Sequence, residues 1–259
     1  GDFRSEPSIL EYNGDKIILA GDKNGFFYGI NHLGVELFSI ETSNDIMASP
    51  SILSMEGQDP IIFFGNDDGE VHAIYLNGLS LTGWPITLPG DIVSSPIFSD
   101  LNSDSIPDII VSLDNGSLYI VDINGNYYDN TPFEYPFPYS SSVIIDDIDL
   151  DDDLEIFCGS ADGLNVFDIK EAGITLGYSN IFRGSLHRDG YYVNAESDFL
   201  MGDVNDDSNI DIFDIITMVN FILGDSSVYI NYNAADLNQD GNIDIFDIIM
   251  NIDNILYGF

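Results

Sequence analysis

The sequence predicts a multidomain chain: an all-β, propeller-like repeat region of about four blades, then a small all-α unit built from two loop-helix segments. Three observations predict this. The strings Ser5-Glu-Pro7-Ser-Ile, Ala48-Ser-Pro50-Ser-Ile, Ser94-Ser-Pro96-Ile-Phe and Ser141-Ser-Val143-Ile-Ile recur at spacings of 43, 46 and 47 residues. Short apolar runs follow each one, separated by Gly- and Asn-rich turns. Near the C-terminus, the string from Asp203 to Ile216 returns as Asp236 to Ile249, 33 residues later. Fixed periods of this kind mark repeated supersecondary units.

Within each β repeat an apolar strand leads to a second, such as Ile61-Ile-Phe-Phe or Asp108-Ile-Ile-Val. An acidic-Gly hairpin comes next: Asp22 to Gly25, Asp67 to Gly69, Asp114 to Gly116, and Asp162-Gly163. A third strand then reads Phe27-Tyr-Gly-Ile, Val71-His-Ala-Ile, Leu118-Tyr-Ile-Val or Leu164-Asn-Val-Phe, and Asn-Gly turns close three of the repeats. Short alternating strands joined by such turns at a period near 46 read as blades.

The third and fourth repeats carry a further loop. Asp100, Asn102, Asp104, Ile106 and Asp108 fall at alternate positions, as do Asp147, Asp149, Asp151, Asp153 and Glu155. Oxygen donors at positions 1, 3, 5 and 9 suit a hard cation. These loops resemble the calcium loops of FG-GAP or VCBS-type propeller repeats, best known from integrin α-subunits. The resemblance implies one stabilising calcium ion per loop, Ile106 and Asp153 occupying the seventh position. The turn position that usually holds Gly is Ser105 in one loop and Asp152 in the other. The expected β region covers 1–180. The stretch 180–190 resembles a segment at the edge of such arrays, with Arg183 and Arg188 expected against the acidic last repeat. Residues 181–198 are expected to form junction and linker, the linker proper from 191.

In the C-terminal repeat, oxygen side chains occupy positions 1, 3, 5, 9 and 12 of a twelve-residue loop, with an apolar residue at position 8. This is the ligand spacing of a calcium loop. The first loop assigns Asp203, Asn205, Asp207, Asn209 (through its carbonyl), Asp211 and Asp214. The second assigns Asp236, Asn238, Asp240, Asn242, Asp244 and Asp247. Position 6 favours Gly because the turn tolerates φ > 0. Gly241 supplies it in the second loop and Ser208 stands in the first, so the second site is expected to bind more tightly. Duplicated loop-helix units with Asp at position 12 and an Ile-rich helix resemble a type I dockerin, over 199–259. The resemblance implies two calcium ions, no catalysis and a cohesin-type partner. Its partner-facing positions correspond to Ile212, Phe213, Ile245 and Phe246, where well-studied dockerins often carry Ser-Thr; as apolar pairs they read equally as core or as an exposed partner surface.

Formal net charge is −39, from 45 acidic and six basic residues. Nucleic-acid binding needs a cationic footprint and is excluded. Hydrophobic content of 44% and aromatic content of 12% exclude general disorder. No apolar run of eighteen residues spans a membrane. Cys158 is alone and reads as a buried strand residue. His32, His72 and His187 lack partners at zinc-ligand spacing, and no G-x-S-x-G motif occurs. Trp84 reads as packing under a blade. The aromatic run Pro132 to Tyr139 is the best candidate for an exposed recognition loop, and packing between blades explains it as well. The chain begins with Gly, which reads as a mature or truncated product. The expectation is an extracellular, non-catalytic interaction protein whose propeller presents a surface to a protein or polysaccharide. One alternative is a fragment of a secreted polysaccharide-degrading enzyme. Another is a dockerin-like module docking internally on the propeller.

Overall fold

The computed structural model describes all residues except 1, 56–57, 93, 129, 140, 150, 152, 176–177, 179–189, 194–200, 206, 208, 225–229, 239–241 and 258–259. The chain divides into two compact units, Gly1–Asn194 and Ala195–Phe259.

The first unit is all β. Its first sheet holds β1 (Ser8–Tyr12), β2 (Asp15–Gly21), β3 (Phe26–Asn31) and β4 (Glu36–Glu41). The second holds β5 (Ser51–Leu53), β6 (Ile61–Gly65), β7 (Glu70–Ile74) and β8 (Ile86–Thr87). The third holds β9 (Ile97–Ser99), β10 (Asp108–Ser112), β11 (Ser117–Asp122) and β12 (Phe133–Glu134), and the fourth β13 (Ile144–Asp146), β14 (Asp153–Gly159) and β15 (Leu164–Ala172). Consecutive strands within each sheet pair antiparallel. Four sequential up-and-down sheets are the blades that the period near 46 predicts.

The hairpin glycines are required by geometry. Gly69 has φ +77° and Gly116 φ +87°, where side chains are disfavoured. A Cβ at Gly69 would lie 2.1 Å from the Leu88 carbonyl oxygen, and one at Gly116 2.2 Å from that of Tyr135.

The sheets stack face to face in chain order, with an apolar core at each contact. Leu10, Leu19 and Phe27 meet Ile52, Ile62, Phe64 and Ile74. The Phe27 and Phe64 rings stack at 3.9 Å. Phe63, Val71 and Trp84 meet Phe98, Ile109 and Val111. Ile110, Leu118 and Ile120 meet Val143, Ile145, Ile156 and Cys158. Trp84 is buried edge-on against Phe63, and its indole N–H donates to the Ile123 carbonyl at 2.8 Å. Cys158 is buried, and burial pushes its thiol up to about 12.

One pair of alternatives is resolved and one expectation is corrected. The run Pro132 to Tyr139 is not simply an exposed loop. Phe133 and Glu134 form β12, Phe133 stacks on Phe167 and Tyr139 is buried, leaving Phe137 exposed. Pairing with β11 satisfies backbone groups that a solvated loop would give to water. Residues 191–193 do not begin a linker. They form β16 (Tyr191–Val193), which pairs parallel with β1 in the register Ile9↔Tyr191, Leu10↔Tyr192. The free edge of β1 would otherwise leave its N–H and C=O groups unpaired. The contact proposed for Arg183 and Arg188 lies outside the described residues.

The second unit packs α1 (Ile212–Ile222), the one-turn α2 (Tyr232–Ala235) and α3 (Ile245–Tyr257). Val204, Ile215, Met218, Ile230, Leu237 and Ile248 form its core. No helix among the described residues is long and apolar enough to cross a membrane.

Candidate metal centres

The third and fourth sheets each place an acidic loop between their first two strands. In the loop from Asp100 to Asp108, Asp100 is buried and accepts from the backbone N–H of Asp104 (3.1 Å) and Ser105 (2.9 Å). Asn102 accepts from Asp104 N–H at 3.2 Å, and Asp104 from Ile106 N–H at 2.8 Å. Asp108 is buried and accepts from Leu101 N–H at 2.9 Å. Its carboxyl is pushed up to about 7, first by burial and then by Asp104, Asp100 and Asp122. Ser105 takes the turn at φ +64°, which strains a non-glycine residue by about 1 kcal/mol.

The loop from Asp147 to Glu155 follows the same plan. Asp147 accepts from Asp151 N–H at 3.3 Å, and Glu155 accepts from Ile148 N–H at 2.9 Å. Carboxylate oxygens of Asp149, Asp151, Asp153 and Glu155 lie within 4.8 Å of one another. Asp153 and Glu155 are more than nine-tenths buried, and each keeps one buried oxygen without a hydrogen-bond partner. A hard cation suits that donor set. Lys170 already leans on this cluster, at 2.6 Å from Asp168, 3.2 Å from Asp153 and 3.6 Å from Asp151. Nothing in the neighbouring sequence places Lys170 at this loop. The signal is long-range, since β15 runs beside β14 and returns the lysine to the loop.

In the helical unit, each predicted position-12 residue is fully buried and organises its loop. Asp214 accepts from the N–H groups of Val204 (2.8 Å), Asn205 (3.2 Å) and Asp211 (2.8 Å). Asp247 accepts from those of Asn238 (3.2 Å) and Asp244 (2.8 Å). Burial pushes the Asp214 carboxyl upward. Asp203 accepts from Asp207 N–H at 3.0 Å, and Asp207 from Asn209 N–H at 2.9 Å. That backbone donor, with the Asn205 and Asn209 amides, holds the Asp207 carboxyl low. Asp236 and Asn242 are described, whereas Asp240, Gly241 and Ser208 lie outside the described residues.

The ligand positions are also helix caps. Asp211 is the N-cap of α1, accepts from Phe213 N–H at 2.7 Å and closes a capping box with Asp214. Asp244 repeats this at α3, accepting from Phe246 N–H at 2.7 Å. The apolar pairs sit between the capping acids.

Residues 201–256 match the dockerin type I domain. Dockerin domains bind calcium, and the residues of this dockerin segment fit that ion. Two fully buried carboxylates stand in a stretch, from 199 to 259, that contains no Lys or Arg. Buried carboxylates without a cation are strongly disfavoured. The dockerin apolar pairs point to solvent, with Ile212, Phe213, Ile245 and Phe246 exposed by 59, 60, 58 and 62%. The sequence left these pairs open between core and surface.

Among solved structures, the chain is similar to the computationally designed Ika4 protein, at 17% identity and TM-score 0.42, covering 64% of this chain and 92% of that one. It is similar to BamB from Moraxella catarrhalis at 14% identity and TM-score 0.44, covering 64% and 47%. It is also similar to BBS1N in complex with ARL6DN at 12% identity and TM-score 0.46, covering 64% and 51%. No curated protein matches.

Proposed function

We propose that this is an extracellular, non-catalytic interaction protein whose dockerin segment, ordered by two calcium ions, plugs into a cohesin-type partner. One observation carries the reading: two equivalent apolar pairs, Ile212-Phe213 and Ile245-Phe246, are solvated at positions 10 and 11 of two oxygen-rich loops. Exposed apolar patches mark binding surfaces.

The chemistry follows from the double duty of the acids. Asp203, Asn205, Asp207, Asn209, Asp211 and Asp214 would hold one ion. Asp236, Asn238, Asp240, Asn242, Asp244 and Asp247 would hold the other. An ion there offsets the repulsion among the carboxylates. Asp211 and Asp214 also cap α1, and Asp244 and Asp247 cap α3, so a loop ordered by calcium fixes where each helix begins. That start sets the direction of the apolar pair. In the β unit, calcium at the loops Asp100–Asp108 and Asp147–Glu155 would neutralise the turns and pin strand register. A blade surface would then present itself to a protein or polysaccharide.

The test is capture of the chain by a panel of cohesin domains, in calcium and in chelator. Binding is expected in calcium alone. The double variant Phe213→Asp, Phe246→Asp should lose it while calorimetry still reads both dockerin calcium sites. Capture that survives chelator, or survives the double variant, refutes the docking reading. Turnover of pectin or another polysaccharide by this chain refutes the non-catalytic part.

A further inference from the structure

One stretch of chain touches both acidic loops of the β unit, Asp100–Asp108 in the third sheet and Asp147–Glu155 in the fourth. Strand β15 shifts register against β14 between the pairs Glu155↔Asp168 and Asp153↔Ala172. Three residues of β15, Ile169 to Glu171, therefore stand opposite Leu154 alone. A bulge of this kind interrupts the ladder and re-aims side chains. Here it turns Lys170 towards Asp151 and Asp153 of the fourth loop. It also carries the end of the strand onto the third loop.

The contacts with the third loop begin at its first residue. The Asp100 N–H donates to the Ile174 carbonyl at 3.0 Å, and the Ile174 N–H donates back to the Asp100 carbonyl at 2.6 Å. The Ser99 hydroxyl donates to the same Ile174 carbonyl at 2.9 Å. Inside the loop, the Ser103 hydroxyl donates to the Ala172 carbonyl at 2.8 Å. Ser103 does so from φ +55°, a left-handed backbone that disfavours a side chain. Gly173 passes between the sheets: a Cβ there would lie 2.6 Å from Leu154 Cδ1 and 3.1 Å from the Asp100 carbonyl oxygen.

Ala172 is thus paired with Asp153 of one loop and bonded to Ser103 of the other. From Lys170 to Ala172 the strand is exposed. Its position rests on the two loops rather than on an apolar core.

We propose that the stretch Lys170–Ile174 links the two loops, so that calcium at either one strengthens binding at the other. This rests on the calcium reading of both loops. An ion in the fourth loop fixes Asp153, and with it Ala172 across the ladder. Ala172 and Ile174 then hold Ser103 and Asp100 in place for the third loop. The effect is reciprocal, as linkage requires. Whichever ion binds first orders the shared stretch, and the second meets a chain already ordered. Repulsion between the ions does not cancel this, because the carboxylates of the two loops exceed the charge that two calcium ions bring.

The experiment is hydrogen–deuterium exchange of the full chain across a calcium titration, reading peptides that span 100–108, 147–155 and 203–214 separately. Asp149→Ala silences the fourth loop and Asp104→Ala the third, both at exposed positions. Each should raise the calcium midpoint of the other loop about fivefold or more. Ser103→Gly with Ile174→Pro removes two donors that join the stretch to the third loop and touches no proposed ligand. In that background the shift should shrink to about twofold or less. A shift undiminished there overturns the proposal. So does an equal shift at 203–214, which marks lost charge rather than a link between loops. Calcium protection at both loops, with midpoints that the loop variants leave unmoved, overturns the link alone. An unmodified chain without calcium protection at 100–108 or at 147–155 overturns the calcium reading, and the proposal with it.

Discussion

Asp67 sits on the turn between β6 and β7, and its carboxyl is pushed up to about 6. Burial is the largest cause, followed by Asp91, Asp45, Asp114 and Asp68. A folded-state pKa above the unfolded value favours the fold below the unfolded pKa, and that contribution is lost as pH rises through about 6. At neutral pH the ionised form therefore works against the fold. Asp67→Asn should stabilise the protein at pH 8 by on the order of 1 kcal/mol, discounted for partial exposure. The gain should shrink as pH falls below 6; urea midpoints at several pH values check this. Burial pushes the Asp214 carboxyl up as well, but its oxygens also hold three backbone N–H groups. Asp214→Ala should cost roughly 1–3 kcal/mol through those donors alone and abolish the first dockerin calcium site in calorimetry. The tighter second site expected from Gly241 against Ser208 is checked by the same titration, and equal affinities would refute it.

At the scale of elements, α1 and α3 begin at residues that also serve as metal donors. Adding calcium to the chelated protein should therefore raise helical circular dichroism, and chelator should reverse it. A spectrum unchanged in chelator would show that the caps suffice without the ion. In β15, Lys170 supplies positive charge to the Asp151–Asp153–Asp168 group. Lys170→Met should lower the thermal midpoint more in chelator than in calcium, since an ion in that loop takes over the neutralisation. Equal losses in the two conditions would separate the lysine from the loop. These elements differ in how readable they were. The hairpins Asp67 to Gly69 and Asp114 to Gly116 are local turns, and their glycines announce them. Strand β12 holds two residues, Phe133 and Glu134, inside a Pro-rich run, and its partner β11 settles its state, not its own pattern.

For the whole molecule, a net charge of −39 sets self-repulsion against the compact state, which bound cations would offset. The sequence by itself determined the repeat number, the turn positions and the oxygen spacing of the loops. The turns and the oxygen spacing depend on neighbours within a dozen residues, whose separation along the chain fixes their separation in space, and the repeat number follows from the recurrence of those local patterns. Only the tertiary structure decided the rest. It joined Tyr191–Val193 to Ser8–Tyr12, brought Lys170 to the loop ending at Glu155, and left Ile212-Phe213 and Ile245-Phe246 in solvent. It also covered both faces of the second and third sheets. An apolar residue carries the same side chain whether its face is covered or open, and which of the two holds is set by elements far away in the chain.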